Sequence, residues 1–120
     1  MKLDHINIRT SDLEGVKDTF IRLLGLEVGD RPPFSFPGYW LWGNGHPIVH
    51  LTVEDGEPGP DTGALNHVAF WGEDYDGLVL RLTEDGIAYD DRVVPGSGVR
   101  QVFFKIHHHI MIEVGFDPAA

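Results

Sequence analysis

The sequence predicts an α+β fold made of two copies of one βαβββ module. Three observations predict it. Leu3-Asp4-His5-Ile6-Asn7-Ile8 returns as Leu65-Asn66-His67-Val68-Ala69-Phe70, 62 residues later in a chain of 120. Asp12-Leu13-Glu14-Gly15-Val16 is answered at the same offset by Asp74-Tyr75-Asp76-Gly77-Leu78. Near the end of each half, residues 46–53 match residues 109–116 at an offset of 63, which sets His50 against Glu113. A half-length period is too long for a solenoid, so each copy reads as one supersecondary unit.

The elements follow in order. Residues 3–9 alternate, with Ile6 and Ile8 on one face and His5 and Asn7 on the other, as in a half-buried strand. Ser11-Asp12-Leu13-Glu14 supplies a capping-box pattern, and Leu13, Val16, Phe20, Leu23 and Leu24 continue at helical spacing to Gly25. Residues 26–31 predict a short strand and Tyr39-Trp40-Leu41-Trp42 another, followed by an Asn44-Gly45 hairpin turn and a strand over 47–53. The second half repeats this: a strand over 65–71, a helix over 74–84 ended by Gly86, and strands over 87–94, 99–105 and 109–115. The expected division is a first module over 1–53, a linker over 54–63 rich in Gly and Pro, and a second module over 64–116, all in one 1–120 domain.

Composition narrows the function. Nine basic against nineteen acidic residues give a net charge of −10, which argues against nucleic acid and against an anionic membrane surface. The absence of cysteine excludes disulfides, thiolate metal sites and a cysteine nucleophile. No apolar run spans a bilayer and no signal-peptide layout opens the chain, so a cytoplasmic protein is the expectation.

Period-two alternation divides each strand into faces. Val49, Leu51 and Val53 oppose Ile48, His50 and Thr52, while Ile110, Ile112 and Val114 oppose His109, Met111 and Glu113. His5 and His67 likewise oppose the aliphatic side. A sheet curled around this second face brings His5, His50, His67 and Glu113 together as metal ligands. Three imidazoles and one carboxylate suit a divalent Zn, Ni, Co, Fe or Mn ion. Four protein ligands on an octahedral ion leave two positions for a chelating substrate, and the ion then acts as a Lewis acid toward an enolate. Glu113 is the candidate catalytic base. Tyr39, Trp40, Trp42 and Met111 are candidate pocket residues. His107-His108-His109 falls where a turn joins the last two strands, so surface exposure is expected there rather than ligation.

Leu3-Asp4-His5-Ile6-Asn7-Ile8, Asn66-His67-Val68-Ala69-Phe70 and Ile112-Glu113-Val114 resemble the vicinal oxygen chelate superfamily, which includes glyoxalase I, bleomycin-resistance proteins and extradiol dioxygenases. The resemblance covers essentially the whole chain. It implies a curved open barrel with a metal inside, and ligands from the first and last strands of each module, here His5, His50, His67 and Glu113. It also implies a homodimer with sites shared between chains. Glyoxalase I carries a carboxylate on the last strand of both modules, whereas this chain has His50 in the first.

The expected function is therefore a metal-dependent enzyme acting on a small, metal-chelating oxygenated substrate. Lyase or isomerase chemistry through a metal-stabilised enolate comes first. An Fe(II) extradiol dioxygenase acting on an aromatic diol is the enzymatic alternative. A non-catalytic protein that sequesters its ligand, as in bleomycin resistance, is the alternative from another class; there the acidic charge attracts a cationic drug.

Overall fold

Both helices start on an aspartate and need a glycine three residues later. In the computed structural model, which describes residues 1–56, 59–107 and 109–118, α1 (Leu13–Leu24) is capped by Asp12, whose Oδ1 accepts the Gly15 N–H at 3.0 Å. α2 (Tyr75–Glu84) is capped by Asp74, which accepts from Gly77 at the same distance. A Cβ at either glycine would run into the capping carboxylate. The echoed Asp-x-x-Gly is thus a helix start with room made for its cap. Asp12 is the cap where the capping-box pattern pointed to Ser11, and Glu14 turns away to Lys17 and Tyr39.

The chain divides into two compact units, residues 1–58 and 59–120. The first contains β1 (Ile6–Thr10), α1, β2 (Glu27–Gly29), β3 (Gly38–Gly43) and β4 (His46–Val53), in a sheet of order β1-β4-β3-β2. The second contains β5 (Val68–Gly72), α2, β6 (Tyr89–Val93), β7 (Arg100–Ile106) and β8 (Ile110–Phe116), in the order β5-β8-β7-β6. In each unit the first strand runs parallel to the last, and the remaining pairs are antiparallel. Two βαβββ modules are what the repeat predicted.

Register repeats along with sequence. Asn7 lies opposite His50 in β1·β4, and Ala69 lies opposite Glu113 in β5·β8. Trp40 faces His50 in β3·β4, and Phe103 faces Glu113 in β7·β8. The offsets of 62 and 63 therefore mark matched places in two sheets.

Burial supports the face assignment. Val16, Phe20, Leu41, Val49 and Leu51 are fully buried in the first unit; Leu82, Val102 and Ile112 are fully buried in the second. Ile6 and Ile8 are half-buried while His5 and Asn7 are exposed. At the β3–β4 turn, Asn44 (φ 54°) and Gly45 (φ 78°) both take the left-handed conformation, as a tight hairpin requires.

Six of the eight strands start one to three residues later than expected, while β3 and β4 each start one earlier. His5 and His67 stand immediately before β1 and β5 rather than inside them. Of the predicted linker, Glu57 and Pro58 lie outside the described residues, as does His108. Among the described residues, no helix is long and apolar enough to cross a membrane.

Candidate metal half-sites and the family

In the first unit, His5 and His50 meet face to face. Their ring centroids are 3.8 Å apart and the planes differ by 12°. Trp40 stacks on the other side of His50, at 4.0 Å and 11°. His50 is 8% exposed, and its Nε2 lies 3.2 Å from the Pro47 carbonyl oxygen. That contact assigns the proton to Nε2. Burial, and secondly the neighbouring His5, push the His50 pKa below its ordinary value, so the ring is neutral at pH 7.

Asp4 organises the open edge of this stack. Its Oδ2 accepts from His5 Nδ1 at 2.7 Å, and its Oδ1 lies 3.0 Å from His46 Nε2. The His5 hydrogen bond, more than any other cause, holds the Asp4 carboxyl below the usual carboxylate range. A proton on His5 Nδ1 leaves Nε2 with its lone pair, the form a metal needs.

The second unit reproduces half of this arrangement. Asn66 Oδ1 accepts from His67 Nδ1 at 2.8 Å, the same neighbour-to-ring contact that Asp4 makes. His67 Nε2 is 3.3 Å from Glu113 Oε1, and Phe103 meets the His67 ring edge-on at 5.8 Å. Glu113 is 16% exposed, close to the surface yet not open to it.

The structure thus brings His5 to His50, and His67 to Glu113, each pair within its own unit. Among the described residues no three His, Asp or Glu side chains gather into a metal-binding group. The donor chemistry of each pair nevertheless fits a divalent cation: His5 and His67 each present Nε2, and Glu113 Oε1 sits beside one of them. His50 fits less well. Its ring is stacked between His5 and Trp40, and its Nε2 is already turned to the Pro47 carbonyl oxygen.

Three of the candidate pocket residues separate. Tyr39 faces α1, where its hydroxyl donates to Glu14 and Lys17 lies over its ring; grouping it with Trp40 is corrected by the strand alternation itself. Trp42 follows an irregularity between Leu41 and Trp42; its Nε1 donates to the Asp30 carbonyl oxygen, and Gly29 lies against its ring. Trp40 alone of the three stacks on a candidate ligand. Met111 lines a pocket in the second unit with Asn66 and His109.

The expectation of surface exposure fails for His109, which is 7% exposed with Nδ1 2.5 Å from the His107 carbonyl oxygen. The offset of 63 already paired it with His46, another residue at the turn end of its module's last strand. Sequence reasoning also missed Asp4 and Asn66, although each stood beside its histidine inside the repeated phrase.

Residues 2–114 match the Glyoxalase/Bleomycin resistance protein/Dioxygenase superfamily. The chain belongs to that superfamily. It is 29% identical over 119 residues to Glyoxylase I 4 of Arabidopsis thaliana, covering 93% of this chain and 68% of that protein. Its fold is similar to that of a glyoxalase family protein from Enterococcus faecalis, with a TM-score of 0.69, 24% identity, and 95% and 96% of the two chains covered. It is also similar to a mutant of the fosfomycin resistance protein FosX from Listeria monocytogenes, complexed with Mn(II) and 1S,2S-dihydroxypropylphosphonic acid. There the TM-score is 0.77 at 16% identity, with 97% and 92% of the chains covered.

Proposed function

We propose that this chain is a metal-dependent enzyme that acts on a small oxygenated substrate able to chelate the metal, with lyase or isomerase chemistry. The carrying observation is the repeated ligand presentation: Asp4 on His5 Nδ1 at 2.7 Å and Asn66 on His67 Nδ1 at 2.8 Å, each leaving Nε2 for a cation. Membership of a superfamily that includes glyoxalases supports the reading, as does the Mn(II) held by FosX.

The proposed set of His5, His50, His67 and Glu113 divides by geometry. His5, His67 and Glu113 are the ligands; His50, pinned between Trp40 and His5, holds the His5 ring in place. In the proposed homodimer, the first-module half-site of one chain joins the second-module half-site of its partner. When bound, the metal supplies a Lewis acid for charge developing on a chelated oxygen. Glu113, whose Oε1 lies 3.3 Å from His67 Nε2, is also the candidate base, accepting a proton at Oε1 and returning it when that oxygen is not held by the metal. Trp40 closes one side of the first half-site against water.

Metal analysis of untagged protein, purified without metal resin, tests this. Near-stoichiometric divalent metal is expected in the wild type and in His107→Ala, and is lost in both His67→Ala and Glu113→Ala. Less than about a tenth of an ion per chain in the wild type, after metal is offered, overturns the proposal.

A further inference from the structure

The second unit contains a pocket of about 250 Å³, bounded by the 61–66 segment and by Lys105, His109 and Met111. Its position follows from register. Phe103 pairs with Glu113 across β7·β8, and Lys105 pairs with Met111 two residues further along. Side chains two apart share a face, so Lys105 and Met111 stand about 7 Å along the strands from Glu113, on its side of the sheet. Asn66 joins the two places, since it lines the pocket and also accepts the His67 Nδ1–H.

The polar groups of the pocket wall are mostly committed. Asp61 Oδ1 accepts the Gly63 N–H at 2.9 Å, and the Thr62 hydroxyl donates to the Leu65 carbonyl oxygen. Asn66 uses its oxygen on His67, which leaves its amide N–H groups to donate elsewhere. His109, more than nine-tenths buried, directs Nδ1 to the His107 carbonyl oxygen. Lys105 has no hydrogen-bond or ion-pair partner among the described residues. The pocket wall therefore carries one carboxylate, Asp61, tied to the Gly63 N–H, and one ammonium, Lys105, left without a partner among the described residues beside the Asn66 amide.

Those donors select an anion. We propose that this pocket seats an anionic substituent of the substrate, a carboxylate or a phosphoryl group, with Lys105 as its counter-charge and Asn66 as its amide donor. The anion site stands on the pocket alone, whereas its use by a substrate rests on the metal-dependent reading above. The substrate class then narrows to small chelating hydroxy or keto compounds carrying a second, anionic end.

The chain has two methionines, so Met111 gives one of two methyl resonances in protein labelled at the methionine methyl group. Metal-free protein is titrated at constant ionic strength with acetate, inorganic phosphate and, as a neutral isostere, acetamide. Acetate or phosphate is expected to shift the Met111 signal saturably and acetamide to leave it still. Lys105→Met is expected to weaken the anion by about tenfold or more, and Lys105→Arg to retain it. Equal shifts from acetamide and acetate, or an unchanged midpoint in Lys105→Met, overturn the proposal. Glu113→Ala separates the two readings, because it removes metal while the anion titration persists. Loss of the anion titration with metal binding intact sinks this inference alone.

Discussion

His50 is the residue at which a ligand and a support make opposite predictions. Its ring lies between Trp40 at 4.0 Å and His5 at 3.8 Å, nearly parallel to both. Each aromatic contact contributes about 0.5–1.5 kcal/mol beyond burial, and truncating a buried ring leaves a cavity besides. His50→Ala is therefore expected to destabilise the metal-free protein by about 2–4 kcal/mol. His50→Phe keeps a flat ring in the slot and loses the contact with the Pro47 carbonyl oxygen, a cost of about 1 kcal/mol. Urea unfolding measures both as midpoint shifts, with unchanged slopes showing that only stability moved. Metal affinity is then read by competition with a chelator. As a support, His50 in the Phe variant retains affinity to within about tenfold, because His5 stays held; the Ala variant frees His5 and loses about 10–100-fold, the range for losing a residue that orients a ligand. Equal and larger losses in both variants refute the argument and make His50 a ligand.

Mixing chains tests the shared site. Neither His5→Ala nor Glu113→Ala homodimers are expected to bind metal, yet refolding the two together restores one intact site per mixed dimer. No recovery in mixed dimers isolated by differential tagging defeats the proposed exchange of half-sites. Asn66→Ala is expected to lower metal affinity about 10–100-fold without unfolding the protein, measured by the same competition. Tyr39 titrates above its ordinary 10.0, mainly because its hydroxyl donates to Glu14, and Glu14→Gln is expected to bring the phenolate absorbance step back down. Since folding raises that pKa, the stabilisation from this bond is fully present below the unfolded value and fades as pH rises through the folded one. A step unmoved by Glu14→Gln counts against the assignment.

The fold was legible because both signals behind it are local. Alternation in residues 3–9 and helical spacing from Leu13 to Leu24 each report burial on one side of a single element. The repeat then carried each reading to a second place in the chain. Boundaries were less legible. A strand begins where a neighbour pairs with it, so Leu3 and Leu65 look like strand residues yet remain exposed, ahead of the first paired positions at Ile6 and Val68. Tyr39 went astray for a related reason. Four aromatic or aliphatic residues in a row suggest one greasy wall, although alternation sends Tyr39 to α1 and Trp40 to His50.

The candidate site was legible only in part. Sequence sorted His50 and Glu113 by face, because face depends only on parity along a strand, whereas His5 and His67 stand just ahead of β1 and β5. What a histidine offers a metal depends on which nitrogen already carries its proton, and that is fixed by a neighbour's reach rather than by spacing. Asp4 and Asn66 differ in charge yet perform the same act at 2.7 and 2.8 Å, so an acid-to-amide difference in the repeat conceals a shared geometry. His50 and Glu113 show the reverse. They occupy matched register positions, but a flat ring there stacks on its neighbour while a carboxylate extends toward it. Module one consequently presents a braced imidazole, and module two an imidazole with an adjacent base. On the proposed reading, proton transfer falls to the second half-site, where Lys105 stands two register pairs along from Glu113.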